Sequence, residues 1–362
     1  MTNINYNIKS FDYCEFYVGN AKQAAYFYEK TMGFQVIAYK GLETGSRDKV
    51  SYVLNQKKIT FIITSPLKKN TDIAKHINNH GDGIKDVAFN VNDAKLAWKE
   101  SIKRGAKSEL KPKIISDSNG SAIISAIKTF GDTIHTFIER KNYKGPFLPG
   151  YKTINTHYKK NNLNHIDHIV ANQSENNMLI TCEFYEKVFN WRRFWSVDDK
   201  DINTEFSSLR SIVMTNKNQK IKMPINETAK GKKKSQIQEF IDYYGSPGIQ
   251  HIALSTKNII KTVKAMKSNG VEFLQTPKSY YKNLISRVGQ IEENIEILEE
   301  LGILVDSDEN GYLLQIFTKP LQDRPTLFFE IIQRKGSNSF GKGNFKALFE
   351  SIENEQLKRG NL

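Results

Sequence analysis

The hydrophobic pattern of this chain occurs twice. Residues 12–34, DYCEFYVGNAKQAAYFYEKTMGF, have the pattern of a short apolar strand, a polar turn and a helix that ends in an aromatic-rich turn. The same order returns in DHIVANQ (167–173) and the following CEFYEKVFN (182–190). An internal repeat of this length predicts two similar structural units rather than one continuous core.

Two further segment pairs extend the repeat. GIKDVAFNVNDAKLAWKESIKRGAK (83–107) matches GIQHIALSTKNIIKTVKAMKSNGVE (248–272), and each predicts a strand followed by a helix with a glycine at its C-terminus. IHTFIER (134–140) and LFFEIIQR (327–334) predict the strand that closes each unit. Each unit is therefore expected to contain two strand–helix–strands modules.

The repeat divides the chain into residues 1–150 and residues 151–362. A polar segment rich in Lys and Asn, GYKTINTHYKKNNLN (150–164), is the expected linker. A helix is predicted over residues 343–360 at the end of the chain. Its apolar side chains fall on one face: Phe345, Leu348, Phe349 and Ile352.

Composition limits the function classes without choosing among them. Hydrophobic residues make up 39% of the 362 residues and charged residues 25%, which is typical of a globular protein. No apolar run has the length of a membrane helix, and no signal peptide is evident. The two cysteines, Cys14 and Cys182, fit no CxxC pattern and are expected to be free thiols. The net charge of +14 comes from dispersed lysines, of which only KGKKK (230–234) is dense, so we expect no nucleic-acid partner.

Three polar residues stand in runs that otherwise predict buried strands. They are His168, His251 and Glu330, and a buried carboxylate must be paired, protonated or bound to a metal. His165 has the opposite strand parity from His168 and is left out of this set. In the repeat comparison, the corresponding residues of the first unit are Tyr13, Asp86 and Glu139. A site built from the three is therefore expected in the second unit alone.

Two imidazoles and one carboxylate form the facial triad that binds non-haem iron(II) and leaves three coordination positions open. Zinc would also accept these ligands. The last predicted hairpin agrees with such a site. A turn centred at residues 322–323 sets Gln315 opposite Glu330, and the same register sets Phe317 opposite Phe328. These four side chains would share one face and make an aromatic pocket beside the metal.

Long motifs in the second half resemble the 4-hydroxyphenylpyruvate dioxygenase family. They include IDHIVAN, FWSVDD, EFSSLRSIVMTN, MPINE, KGKKKSQIQEFIDYYGSPGIQHIAL, GYLLQIFTKPLQDRPTLFFEIIQRKGSNSFGKGNFKALFESIE and the closing RGNL. The resemblance covers residues 160–362 and, more loosely, the first half. It departs from the family pattern at Thr228, where the family usually has proline, at Ala171, and after Arg334.

The resemblance implies an α+β fold of the vicinal-oxygen-chelate type, with two open β-barrels built from βαβββ modules. Iron(II) would be bound in the second barrel by His168, His251 and Glu330. Side chains that act beside the metal would be Gln315, Gln250 and Asn344. The substrate would be held by Ser211, Asn226, Gln236, Phe317, Phe328, Phe340 and Phe345, with the terminal helix as a lid.

The implied reaction converts 4-hydroxyphenylpyruvate and O₂ to homogentisate and CO₂, as in tyrosine catabolism. The family also suggests a cytoplasmic homodimer or homotetramer. Hydroxymandelate synthesis from the same substrate is the nearest alternative, because it shares fold and ligands. A metal-dependent isomerase or lyase of the glyoxalase kind, and a ligand-binding protein without activity, are more distant alternatives.

Overall fold

The computed structural model describes residues 7–154, 162–197, 208–229 and 231–361. Part of the expected linker, residues 155–161, lies outside these ranges, as do portions of the FWSVDD, EFSSLRSIVMTN, KGKKK and RGNL motifs. Among the described residues, no helix is long and apolar enough to cross a membrane. Cys14 and Cys182 are buried, unpaired thiols, as predicted.

The first unit is a curled nine-stranded sheet with three helices. In chain order its elements are β1 Ile8–Tyr17, α1 Ala21–Met32, β2 Gln35–Lys40, β3 Lys49–Gln56, β4 Ile59–Pro66, α2 Asp72–His80, β5 Gly83–Val91, α3 Ala94–Lys103, β6 Lys107–Asp117, β7 Gly120–Lys128, β8 Ile134–Tyr143 and β9 Lys152–Thr153. The strand order is β6-β7-β8-β5-β1-β4-β3-β2-β9.

The second unit has an eight-stranded sheet and six helices in the part of the chain that the structure describes. Its elements are β10 Leu163–Gln173, α4 Met178–Phe189, β11 Arg192–Val197, β12 Ser208–Thr215, β13 Lys222–Ala229, α5 Gln236–Tyr244, β14 Gly248–Thr256, α6 Ile259–Ser268, α7 Leu284–Val288, α8 Ile295–Leu301, β15 Leu304–Asp308, β16 Gly311–Phe317, β17 Phe328–Lys335 and α9 Phe345–Lys358. The strand order is β11-β12-β13-β10-β14-β17-β16-β15.

The two sheets have the same central arrangement. β1 pairs antiparallel with β5 and parallel with β4, and β10 pairs antiparallel with β14 and parallel with β13. This confirms the predicted pair of open barrels. The division at residues 150 and 151 stays a prediction.

The units share one apolar core between their sheets. Phe329 of β17 is fully buried, and its ring centroid lies 5.7 Å from that of Phe61 and 6.0 Å from that of Tyr28 in the first unit. His135 and Tyr185, from opposite units, are hydrogen bonded at 2.8 Å. Burial of aromatic surface stabilises a fold strongly, and here that surface is buried between the two units. Neither unit therefore has an independent core on this side.

The comparison of the two units corrects one residue of the predicted repeat. Phe89 pairs with Phe137 where Leu254 pairs with Ile331, so the registers place Thr136, one residue earlier, at the position of Glu330. Glu139 had been assigned to that position, and this assignment was wrong. Its counterpart is Gln333, since both side chains accept a hydrogen bond from the first residue of a helix, Ala94 and Ile259.

The last hairpin forms with a register two residues from the predicted one. Phe317, not Gln315, pairs with Glu330, and Gln315 pairs with Ile332. The reason is a longer connection than the predicted turn, closed by a bond from Leu321 N to Leu327 O of 3.1 Å. Side chains alternate with a period of two, so an even shift keeps the same side chains on the same face.

Candidate active site

Three adjacent strands at the centre of the second sheet carry the triad. His168 of β10 and Glu330 of β17 are both paired with Ala253 of β14, and His251 lies two residues before it. A spacing of two places His251 on the same face as its neighbours. His168 Nε2 lies 3.1 Å and His251 Nε2 lies 3.5 Å from Glu330 Oε2.

Burial and mutual charge govern the ionisation of these groups. Burial disfavours the ionised form of Glu330. The interactions with His168 and His251 outweigh this effect of burial and lower the pKa of Glu330 to about 2. Burial also acts against charge on His168, whereas Glu330 and Asp167 raise its pKa above the ordinary value. Burial lowers the pKa of His251. The carboxylate is thus ionised at neutral pH and His251 is a neutral base.

A buried ion pair holds His168 from behind. Asp167 Oδ1 lies 2.8 Å from His168 Nδ1, and Arg334 donates to both carboxylate oxygens of Asp167 at 2.8 Å. Arg334 also donates to the carbonyl of Ser339 at 2.6 Å. A carboxylate on Nδ1 orients the ring and leaves Nε2 available as a ligand.

The residues present fit a divalent transition metal. The ligand atoms of His168, His251 and Glu330 lie within 4.8 Å of one another, and all three side chains are buried. Within the described ranges, buried His251 Nδ1 has no hydrogen-bond partner. Two nitrogen donors and one carboxylate suit iron(II) or zinc.

The triad forms the wall of a pocket with an empty volume of about 550 Å³. Besides the triad, it brings together nine of the predicted site residues: Ser211, Asn226, Gln236, Gln250, Gln315, Phe317, Phe328, Phe340 and Phe345. The ring of Phe328 stacks on His251 with centroids 4.7 Å apart. The pocket therefore offers flat apolar faces directly beside the triad.

Amides in and behind the pocket form short networks. Gln250 Nε2 donates to Gln236 Oε1 at 3.3 Å. Asn344 does not line the pocket; it donates from Nδ2 to Gln315 Oε1 at 3.3 Å and accepts a bond of 2.6 Å from Tyr280 OH. Asn344 thus holds the amide of Gln315 from the side away from the pocket.

We expect Gly341→Ala to misplace Gln315 and to reduce turnover. Gly341 has a φ of 77°, and an added Cβ would lie 2.0 Å from Gln315 Oε1. The backbone strain alone costs about 1–2 kcal/mol. Gly270→Ala is the matched control, because Gly270 has a φ of 92° with no atom within 4 Å of the added Cβ. Both variants should lower the thermal unfolding midpoint, but equal turnover in the two would contradict the role of the contact.

The terminal helix covers the pocket. Phe345, Leu348 and Phe349 of α9 line it, and Leu348, Phe349 and Ile352 are buried, which confirms the predicted apolar face.

Other lining residues were missed by the sequence analysis: Val170, Trp195, Leu209, Val213 and Pro224. Trp195 lay within a quoted motif, but its place over Phe340 and Phe345 depends on packing between the sheet edge and α9.

The equivalent place in the first unit is filled by a different polar cluster. Tyr13 OH donates to Asp86 at 3.1 Å and Thr136 Oγ1 donates to it at 2.5 Å. The ring of Phe147 packs 5.6 Å from that of Tyr13, and Leu148 belongs to the same buried cluster. This barrel is closed by its own chain, so among the described residues the first unit lacks a counterpart of the triad.

We expect Asp86 to make stability depend on pH. Burial raises its pKa from 3.8 to about 7, partly offset by bonds from Thr136 and Tyr13. The native state then retains a proton that the unfolded chain loses above about pH 4, so unfolding free energy falls as pH rises towards 7. The loss is about 4 kcal/mol. Denaturation of Asp86→Asn should show a correspondingly smaller fall, and parallel pH profiles would contradict the prediction.

Comparisons with known proteins place the whole chain among similar sequences. Residues 3–155 match the model "Hydroxyphenylpyruvate dioxygenase, HPPD, N-terminal", and residues 165–316 match the "Glyoxalase/Bleomycin resistance protein/Dioxygenase superfamily". The 4-hydroxyphenylpyruvate dioxygenase of Yarrowia lipolytica is 50% identical over 100% of this chain and 96% of its own length. That of Xenopus tropicalis is 53% identical over 98% of this chain and 93% of its own.

A solved structure shares the fold. A triple mutant of 4-hydroxymandelate synthase from Streptomyces coelicolor superposes with a TM-score of 0.85, covers 96% of this chain and 98% of its own, and is 30% identical. The sequence relatives and the structural neighbour therefore carry different enzyme names.

Proposed function

The chain belongs to the 4-hydroxyphenylpyruvate dioxygenase family and is an enzyme of that family; from this premise we propose how its residues perform the reaction. The reaction converts 4-hydroxyphenylpyruvate and O₂ to homogentisate and CO₂. We propose iron(II) as the metal, bound by His168, His251 and Glu330. The observation that carries the proposal is the convergence of these three ligands at the wall of an aromatic pocket.

Bound iron(II) would supply coordination positions for the keto acid and for O₂ and would pass electrons from the substrate to O₂. His168, His251 and Glu330 would hold such an ion, and a set of three protein ligands would leave coordination positions for substrate and O₂. Ionised Glu330 offsets part of the metal charge, and Asp167 holds His168 in the tautomer that binds through Nε2.

The pocket residues orient the substrate. Phe317 and Phe345 hold the aromatic ring by its faces and edges, and Phe328 lies over His251. Ser211, Asn226 and Gln236 form the polar part of the wall, which we assign to the phenol hydroxyl. Gln315 and Gln250 orient the keto acid end. The α9 helix excludes bulk water during the reaction.

The test is oxygen uptake with iron(II), ascorbate and 4-hydroxyphenylpyruvate, with identification of the product by chromatography and mass. We expect one O₂ consumed and one CO₂ released for each homogentisate formed. No O₂ consumption, or zinc-dependent conversion under anaerobic conditions, would exclude the dioxygenase and point to a glyoxalase-like isomerase or lyase.

Hydroxymandelate formation is the second candidate, favoured by the structural neighbour. The same assay distinguishes it, because oxidation at the benzylic carbon gives 4-hydroxymandelate in place of homogentisate. The relatives near 50% identity carry the dioxygenase name and favour homogentisate.

We also propose that the protein works in the cytoplasm as a homodimer or homotetramer. These proposals rest on the family resemblance, and light scattering coupled to size-exclusion chromatography measures the assembly. A monomer at micromolar concentration would exclude both assemblies.

A further inference from the structure

A second group of metal-ligating side chains lies at the junction of the two units. His76 and His80 stand one turn apart on α2, with ring centroids 4.4 Å apart, and both are buried. Asp132, in the turn before β8, is exposed to solvent. The ligand atoms of these three side chains lie within 4.8 Å of one another. The cluster is remote in sequence from the triad and takes no part in the proposed reaction.

Tyr244 of the second unit holds both imidazoles by their outer nitrogens. His80 Nδ1 donates to the carbonyl of Tyr244 at 2.5 Å, and the hydroxyl of Tyr244 lies 3.5 Å from His76 Nε2. A hydrogen bond on one ring nitrogen sets the tautomer and leaves the other nitrogen free to bind metal. The free nitrogens, His80 Nε2 and His76 Nδ1, both point towards Asp132.

The free nitrogens and the carboxylate need a cation between them. His80 Nε2 lies 2.8 Å from Asp132 Oδ2. In a neutral ring whose proton is on Nδ1, the lone pair of Nε2 would face a lone pair of this carboxylate oxygen. A proton on His80 Nε2 would satisfy the contact between His80 and Asp132 but would leave His76 without a partner. His76 Nδ1, 3.9 Å from the same oxygen, is buried and has no hydrogen-bond partner among the residues that the structure describes. A metal ion engages all three atoms at once.

We propose that His76, His80 and Asp132 of the first unit bind a zinc ion at its junction with the second unit. Two imidazoles four residues apart on a helix and one carboxylate are suitable zinc ligands, and exposed Asp132 leaves a fourth position to water. His80 is also the last residue of α2, where the helix dipole favours a cation.

The test is zinc stoichiometry of the full chain. We expect protein dialysed against micromolar Zn²⁺ and analysed by mass spectrometry to hold one more zinc per chain than His76→Gln. Zinc should raise the thermal midpoint of the wild type by more than that of this variant. Asp132→Asn changes an exposed side chain and should remove the same equivalent without disturbing the buried helix face.

Asp72→Asn is the matched control, because Asp72 lines the same groove outside the cluster. It should retain the wild-type stoichiometry. Equal zinc content in wild type, His76→Gln and Asp132→Asn would overturn the proposal and leave a protonated His80–Asp132 pair. Loss of all zinc on Glu330→Ala would overturn it too. Oxygen uptake with iron(II) should be unchanged in Asp132→Asn, which separates this result from failure of the proposed reaction.

Discussion

Glu330→Ala is expected to abolish turnover and binding of the proposed iron(II). The substitution deletes the one anionic ligand of the triad and leaves two buried imidazoles that bind the ion more weakly. A metal ion contributes several kcal/mol to transition-state stabilisation, so its loss lowers the rate by about 10³-fold or more. His168→Ala and His251→Ala should have the same effect. The measurements are iron content per chain and oxygen uptake.

The first unit provides the control for these variants. Thr136→Ala removes the residue at the position of Glu330, and Tyr13→Phe alters the residue at the position of His168. Both should fold and retain oxygen uptake. Near-normal iron content and rate in Glu330→Ala would refute the assignment of the triad. A folded but inactive Tyr13→Phe protein would refute one site per chain.

Arg334→Met is expected to weaken metal binding about 10–100-fold without touching a ligand. The substitution leaves the buried carboxylate of Asp167 without its two charged hydrogen bonds, and Asp167 then no longer fixes His168. Burial opposes ionisation of Asp167, and Arg334 holds its pKa well below the ordinary range, so loss of Arg334 raises this pKa and weakens the carboxylate as a partner of His168. Breaking a buried ion pair also costs about 3–5 kcal/mol of stability.

The repeat supplies a matched variant for this prediction. Arg140 makes the same two-fold contact with Asp12 in the first unit, at 2.9 and 2.7 Å. Arg140→Met should therefore lose stability but leave the metal affinity unchanged. The affinity is measured by competition with a chelator, and the stability by denaturation of the metal-free proteins. Equal affinities in Arg334→Met and Arg140→Met would show that Arg334 is structural only.

The fold and the strand positions of the candidate ligands could be predicted because they follow from local patterns. Strand alternation placed His168, His251 and Glu330 in three strands, and the repeat indicated that two similar sheets would form. The structure places these strands side by side. The register of the last hairpin was wrong by two residues, because the length of an irregular connection is not encoded in the alternation on either side of it.

Other features depend on contacts between remote residues. Asp167 and Arg334 were not recognised, although Asp12 and Arg140 repeat them at the same places in the first unit. A search for charged residues that occur at matching positions of the two units would have identified the pair of Asp167 and Arg334. His76 and His80 have helical spacing, but Asp132 is brought to them only by the sheet. Trp195 reaches the pocket by packing under α9, which no spacing rule predicts.

Neighbouring residues of β17 face different halves of the molecule. Glu330 lines the pocket, while Phe329 is inserted among Phe61 and Tyr28 of the first unit. A shortened descendant lacking the first 150 residues would expose this ring and loosen the strand that carries the carboxylate. The first unit therefore supports, through buried aromatic contacts, the strand that carries the carboxylate.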